Sequence, residues 1–160
     1  MRLLGVLLGV VLLLAGCGEK APPPEKFQFT AKTLEGAEFR GDKLVGQPAV
    51  LWFWTPWCPS CNAEAKTVAE IAQRHDKIQF VGVAAEDQLD AMKKFVADHQ
   101  MTGFPHLADL DGSVWKRFGV TAQPTFAFVK SDGSVELLTG APTKEQLDER
   151  VSALTPKNQP

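Results

Sequence analysis

The chain has 160 residues, of which 44% are hydrophobic and 22% are charged, a composition typical of one globular domain. Its 17 Lys and Arg residues are balanced by 19 Asp and Glu residues, and no cluster of basic residues offers a surface for phosphates. A nucleic-acid partner is therefore not expected.

The N-terminus has the pattern of an export signal. Met1 and Arg2 make a short basic start, and the apolar run 3–15 is too short for a membrane-spanning helix, which needs about 20 residues. Residues 14–17 read LAGC, which resembles the lipobox of bacterial lipoproteins, where the cysteine is acylated. This resemblance predicts a lipoprotein signal peptide over residues 1–16.

Lipidation of Cys17 would anchor the chain to the outer face of the cell membrane. The alternative is an ordinary signal peptide with an incidental cysteine, which would give a secreted protein. Residues 17–26 lack apolar periodicity and contain three consecutive prolines, a composition that favours extended polyproline II. We expect a tether over 17–26, a domain over 27–154 and a flexible tail over 155–160.

The first elements of the domain are predicted to be a hairpin, a buried strand and a helix. Two short strands flank a turn signal at 34–36, and the segment AVLWFW at 49–54 is apolar at every position, as in a strand covered on both faces. From Cys58 to about His75 the apolar residues recur at helical spacing. The motif CPSC at 58–61 therefore opens a helix.

The second half of the domain alternates in the same way. The pattern predicts a buried strand at 78–85, a helix after Asp87, a helical turn at 113–118, two strands at 125–129 and 135–138 that pair across a turn, and a final helix behind the capping-box sequence 143–146. This alternation indicates the α/β class.

Cys58 and Cys61 can be explained in three ways. A structural zinc site usually needs four Cys or His ligands, and His75, His99 and His106 show no paired spacing, so we expect them at the surface or half-buried and expect no metal. A structural disulfide would close too small a loop to restrict the unfolded chain much. Thiol–disulfide exchange is the third and favoured explanation.

Exchange requires one exposed, activated sulfur and one sheltered sulfur. At a helix start Cys58 would lie among unpaired backbone N–H groups and the positive end of the helix dipole, which stabilise a thiolate. Cys61, one turn inside the helix, should be shielded. We therefore predict that Cys58 forms the mixed disulfide and that Cys61 resolves it.

Two motifs together resemble the thioredoxin superfamily: WCPSC at 57–61, at a strand-to-helix junction, and GVTAQPT at 119–125, just before a strand. The lipobox, the hairpin, GQPAVLWFWTPWCPSC, DLDGSVWKRFGV and SDGSV further resemble the exported TlpA/ResA/DsbE branch, and within it the actinobacterial DsbE/DsbF-type secreted proteins. The resemblance covers about residues 27–154. It implies an α/β thioredoxin fold, with a mixed five-stranded sheet flanked by helices and an N-terminal hairpin extension.

The resemblance also implies the site residues. The redox disulfide Cys58–Cys61 would act without a cofactor, and a cis peptide would join Gln123 to Pro124. Gln123, Pro124 and Thr125 would then form a platform for the substrate strand. Trp57 is expected at the rim of the site.

The sequence departs from the family pattern at three positions. Thioredoxins that reduce their substrates carry a buried aspartate where Trp52 stands, and Trp52 and Trp54 are expected in the core. In cytochrome-maturation reductases the residue after the cis proline is often glutamate. Here that residue is Thr125. The proline that usually kinks the helix is replaced by Lys66, which predicts a straighter helix.

The first departure suggests the direction of electron flow. A reductase needs a base to deprotonate Cys61, and Trp52 cannot serve, so we expect oxidation of exported proteins with reduced or mispaired cysteines, by a monomer that has a membrane redox partner. The alternatives are a reductase for cytochrome c maturation and a non-catalytic binding lipoprotein. Glu64, three residues after Cys61, is either a proton relay or a solvent-exposed helix residue.

Overall fold

The computed structural model describes residues 22–155. The predicted signal peptide, Cys17, the first half of the tether and most of the tail lie outside this range. None of the helices within residues 22–155 is long and apolar enough to cross a membrane.

The described chain begins by packing against the domain. A 3₁₀ turn, Glu25–Phe27, leads into the hairpin of β1 (Thr30–Lys32) and β2 (Glu38–Arg40), which pair antiparallel as predicted. Arg117 donates a hydrogen bond to the carbonyl of Glu25, 3.0 Å away. Contacts with the domain therefore start inside the segment that the sequence assigns to the tether.

The central sheet has five strands in the order β5-β4-β3-β6-β7. These strands are β3 (Ala49–Trp54), β4 (Gln79–Ala84), β5 (His106–Ala108), β6 (Thr125–Val129) and β7 (Val135–Thr139). Strand β3 is parallel to β4 and antiparallel to β6, and β4 is parallel to β5, so the sheet is mixed as the resemblance implies. The three-residue β5 was not predicted from the residue pattern.

Within residues 22–155 four α-helices accompany the sheet: α1 (Pro59–Arg74), α2 (Leu89–Asp98), α3 (Ser113–Phe118) and α4 (Lys144–Ser152). Helix α4 starts with the predicted capping box, in which Thr143 and Gln146 exchange side-chain and backbone hydrogen bonds. Helix α1 is a single continuous element of 16 residues. The architecture is the predicted thioredoxin fold.

Strand β3 separates two hydrophobic clusters because successive side chains of a strand point to opposite faces. Val50, Trp52 and Trp54 lie in the cluster that includes residues of α1, α2 and α4. Leu51 and Phe53 lie in the cluster that includes α3 and the segment around Phe27. With both faces covered, β3 is a rigid support for the residues that follow Trp54.

Candidate active site

The two cysteines lie where β3 passes into α1. Cys58 is the N-cap of α1 and Pro59 is its first residue, a position that needs no backbone N–H. The side chains of Cys58 and Cys61 form a disulfide, with their Cα atoms 5.2 Å apart. The motif thus opens a helix, as the spacing predicts.

The surroundings of Cys58 favour a negative charge on its sulfur. The backbone N–H of Cys61 donates to Cys58 Sγ at 3.1 Å, as it would to a capping oxygen. The first turn of α1 contains no acidic residue, so no carboxylate there opposes the positive end of the helix dipole. Reduction of the disulfide would leave a stabilised thiolate at Cys58.

Burial distinguishes the two sulfurs less than the sequence suggested. Cys61 is fully buried, whereas Cys58 is only 3% exposed rather than openly exposed. The reason is that both cysteines, bonded to each other, belong to the hydrophobic cluster that contains Trp52 and Trp54. Cys58 is nevertheless the more exposed residue of the two, in the predicted order.

Asn62 holds the loop before the helix. Its Nδ2 donates to the carbonyl oxygens of Pro56 at 3.0 Å and Cys58 at 2.8 Å, and its Oδ1 lies 3.0 Å from Nε2 of His99. These bonds connect the loop, α1 and the end of α2. Sequence reasoning missed Asn62 because its partners come from the loop before α1 and from the end of α2, which lies 37 positions away in the sequence.

Trp57 forms an exposed rim beside the disulfide. Its side chain is 54% exposed, and its indole N–H donates to the carbonyl of Glu86 at 3.1 Å. Glu86 follows β4 and has a φ of 57°, in the left-handed region. The hydrogen bond fixes an apolar ring that would otherwise move freely in solvent.

The peptide between Gln123 and Pro124 is cis, as the resemblance implies. Thr125 pairs with Phe53 of β3, so Pro124 lies next to the end of the strand that leads to Cys58. The carbonyl of Pro124 accepts from Gly140 N–H at 2.8 Å, and Thr125 Oγ1 donates to the carbonyl of Ala122 at 2.8 Å.

Pro124 and Thr125 are buried and Gln123 is half-buried. Their position beside the end of β3 is compatible with the predicted platform. Their contact with a substrate stays a prediction.

Glu64 is buried, which contradicts the interpretation of it as a solvent-exposed helix residue. It is 8% exposed, and Trp52 Nε1 donates to its Oε1 at 2.7 Å. Its other oxygen, Oε2, has no hydrogen-bond partner among the described residues. Burial raises the pKa of Glu64 to about 7, against the opposing effect of the Trp52 hydrogen bond.

A buried carboxyl is therefore present beside Trp52, at the strand position where the sequence offers no base; its use as a base stays a prediction. Trp52 itself carries no carboxylate, but it binds one supplied by α1. Cys61 and Glu64 are three residues apart, a spacing that places two side chains on the same face of a helix. Both are buried, so the Cys61 sulfur has a titratable group on its own side of the helix.

Each of the three histidines has a hydrogen-bond partner of its own. Within residues 22–155 no three His, Cys, Asp or Glu side chains come together as metal ligands. His75 and His99 are half-buried as predicted, but His106 is only 2% exposed. Its Nε2 bonds the carbonyl of Met101 at 2.9 Å, and burial lowers its pKa to about 4.

Comparison with known proteins agrees with this geometry. The AhpC/TSA family model matches residues 17–138. The chain belongs to the AhpC/TSA family. It is 42% identical over 158 residues to the soluble secreted antigen MPT53 of Mycobacterium tuberculosis, an alignment that covers 96% of this chain and 91% of MPT53.

Two other relatives are described by their redox chemistry. The thiol-disulfide oxidoreductase ResA of Bacillus cereus is 30% identical over 142 residues, with 87% of this chain and 79% of ResA covered. The structure of MTB DsbF in mixed oxidised and reduced forms superposes with a TM-score of 0.82 at 50% identity, over 84% of this chain and all of DsbF. The chain is thus a thiol-disulfide oxidoreductase of the TlpA/ResA/DsbE branch.

Proposed function

We propose that this protein donates disulfide bonds to exported proteins. The observation that carries the proposal is the environment of Cys58: it caps α1, its sulfur receives the N–H of Cys61, and the first turn contains no acidic residue. Groups that stabilise the thiolate stabilise the reduced enzyme. A stabilised reduced form makes the disulfide a stronger oxidant, as in DsbA.

The reaction would proceed by two exchanges. A client thiolate attacks Cys58 Sγ, the Cys58–Cys61 bond breaks, and Cys61 leaves with the electron pair and takes a proton. A second client thiolate then attacks the client sulfur bonded to Cys58, which forms the client disulfide and releases Cys58 as a thiolate. The client loses two electrons, and the enzyme gains them.

Glu64 suits the proton transfer at Cys61. Below about pH 7 its buried carboxyl is mostly protonated and can supply the proton to the departing Cys61 sulfur. A protonated Cys61 no longer attacks the mixed disulfide, which leaves time for the second client thiol. The carboxyl thus aids oxidation in its acid form.

The test is oxidative refolding of a reduced, unfolded protein that needs one disulfide for activity. The wild-type disulfide form should restore activity in stoichiometric amounts, and Cys58→Ala should not. Cys61→Ala keeps Cys58 but, like Cys58→Ala, cannot form the internal disulfide, and it serves as the matched control. A wild type no better than Cys58→Ala would refute the proposal.

A reductase that serves cytochrome c maturation is the second candidate. Above about pH 7 Glu64 is ionised and can accept the proton of Cys61, which then attacks a mixed disulfide and releases a reduced client. This carboxylate comes from α1 rather than from the strand position that Trp52 occupies. Faster reduction of insulin than oxidation of the refolding client, at the same pH, would favour the reductase.

We further propose that the protein acts outside the cytosol and is held at the membrane by a lipid on Cys17. The lipobox and the proline-rich segment support an anchor, and the secreted relative MPT53 supports export. Clients with reduced or mispaired cysteines and a membrane redox partner fit this location, where disulfides persist.

A further inference from the structure

Two tryptophans of β3 differ in the hydrogen bonding of their indole N–H groups. Trp52 and Trp54 are both fully buried, point to the same face of the strand and stack with their ring centroids 5.7 Å apart. The Trp52 indole N–H donates to Glu64, whereas the Trp54 N–H has no partner among residues 22–155. Phenylalanine could supply the apolar ring at either position, but only tryptophan supplies the donor to Glu64.

We propose that Trp52 is a positioning residue for the proton transfer at Cys61: its N–H binds Glu64 Oε1, which leaves Glu64 Oε2 available to exchange a proton with the Cys61 sulfur. The proposal rests on the proton-transfer role of Glu64 given above, and it holds for either direction of electron flow. It assigns to Trp52 a function beyond filling the core.

The contacts of the indole ring make it a rigid donor. Its centroid lies 6.2 Å from that of Phe95 and 6.4 Å from that of Phe126, in addition to the stack on Trp54. These neighbours come from α2, from β6 and from β3 itself. A ring held on three sides fixes the direction of its N–H, and the hydrogen bond in turn fixes one oxygen of Glu64.

Two effects determine the pKa of Glu64. Burial raises its pKa to about 7 and the Trp52 N–H opposes that rise; no charged side chain of another element contributes within the described part of the chain. Cys61 is the titratable group on the same face of α1. Removal of the Trp52 donor should therefore raise the pKa of Glu64 further, because a hydrogen bond to the charged form favours it.

The first test uses the unmodified wild type in its disulfide form, in which neither cysteine titrates. The ¹⁵N–¹H indole resonance of Trp52 should shift with pH, with a midpoint near 7, and that of Trp54 should not shift in this range. Glu64→Gln should abolish the Trp52 shift. A Trp52 resonance that stays constant across pH 7, or moves equally in Glu64→Gln, would overturn the proposal.

The second test measures resolution at Cys61. Ellman's reagent forms a mixed disulfide with Cys58; Cys61 then attacks Cys58 Sγ, the coloured thiolate leaves with the electron pair, and the proton of Cys61 goes to Glu64. This concentration-independent phase can be followed against pH in stopped-flow experiments. It does not depend on whether the enzyme oxidises or reduces its natural clients.

Trp52→Phe should raise the midpoint of this pH profile by about one unit, so that resolution near pH 7 slows about fivefold. Trp54→Phe is the matched control, since it removes the same atoms from the same face without touching Glu64, and it should leave the midpoint unchanged. In a Glu64→Gln background Trp52→Phe should produce no shift.

Equal effects of Trp52→Phe and Trp54→Phe on the profile would overturn the proposal, and so would a shift that persists with Gln at position 64. Near-UV circular dichroism confirms that each variant is folded. If Trp52→Phe does not fold, the indole titration of the wild type still decides. If client oxidation fails while the Trp52 resonance titrates as expected, the proposed function is refuted and the role of Trp52 is not.

Discussion

Replacement of Glu64 by glutamine should stabilise the protein at neutral and alkaline pH. Glutamine keeps an oxygen that accepts the Trp52 N–H, but it cannot ionise. In the wild type the pKa of Glu64 rises from its ordinary value of 4.5 to about 7 on folding, chiefly through burial. The native carboxyl thus keeps a proton that the unfolded chain has already released between these two pH values.

The sign and size of the effect follow from linkage. The free energy of unfolding of the wild type loses its Glu64 contribution as pH rises from 4.5 to 7 and is then constant, because the native state binds more protons than the unfolded state. A rise of about 2.5 pH units corresponds to about 3 kcal/mol. Glu64→Gln should therefore gain about 3 kcal/mol relative to wild type at pH 8 and almost nothing at pH 4.

The assay is urea denaturation of both proteins in the disulfide form at several pH values, compared as a difference. The difference is needed because His106 acts in the opposite sense: its lowered native pKa makes the wild type more stable as pH rises from about 4 to 6.5. Both proteins contain His106, so its contribution to the free energy of unfolding cancels in the difference. A difference that is constant with pH, or a Glu64→Gln protein less stable than wild type at pH 8, would refute the raised pKa of Glu64.

Three other results are expected. Cys17→Ala should move the protein from the membrane fraction to the soluble fraction without loss of refolding activity; retention on membranes would contradict lipidation. Alkylation of the reduced protein at mildly acidic pH should label Cys58 before Cys61, which peptide mapping by mass spectrometry would show, and the reverse order would exchange their roles. Gly82→Ala should cost about 2–3 kcal/mol in urea denaturation, since an added Cβ would lie 2.0 Å from Nδ1 of His106; a neutral effect would mean that this packing relaxes.

Elements with strong local signals were predictable from the sequence. The all-apolar segment became β3 over the predicted residues, and the capping box starts α4 at the predicted place. Strand β5 was missed because it has only three residues and contains His106, whose polar side chain breaks the apolar pattern of a strand. His106 fits there because glycine at position 82 leaves space for its ring.

The candidate site was predictable where its residues are close in sequence. The motif placed Cys58 at a helix start, and the resemblance placed the cis peptide before Pro124. The bond from Trp52 to Glu64 joins residues on a strand and a helix, 12 positions apart, and no periodicity reveals such a pair. For the same reason the sequence could not decide whether Glu64 is buried or lies exposed on the helix surface.

The reduction potential of the Cys58–Cys61 pair tests the central proposal most directly. Equilibration of the purified protein with glutathione redox buffers at pH 7, with the thiol form quantified by alkylation, would give the value. A donor of disulfides, with its Cys58 thiolate stabilised at the start of α1, should lie well above thioredoxin's value of about −270 mV, toward the DsbA value of about −120 mV. A potential at or below that of thioredoxin would contradict the proposal and favour the reductase.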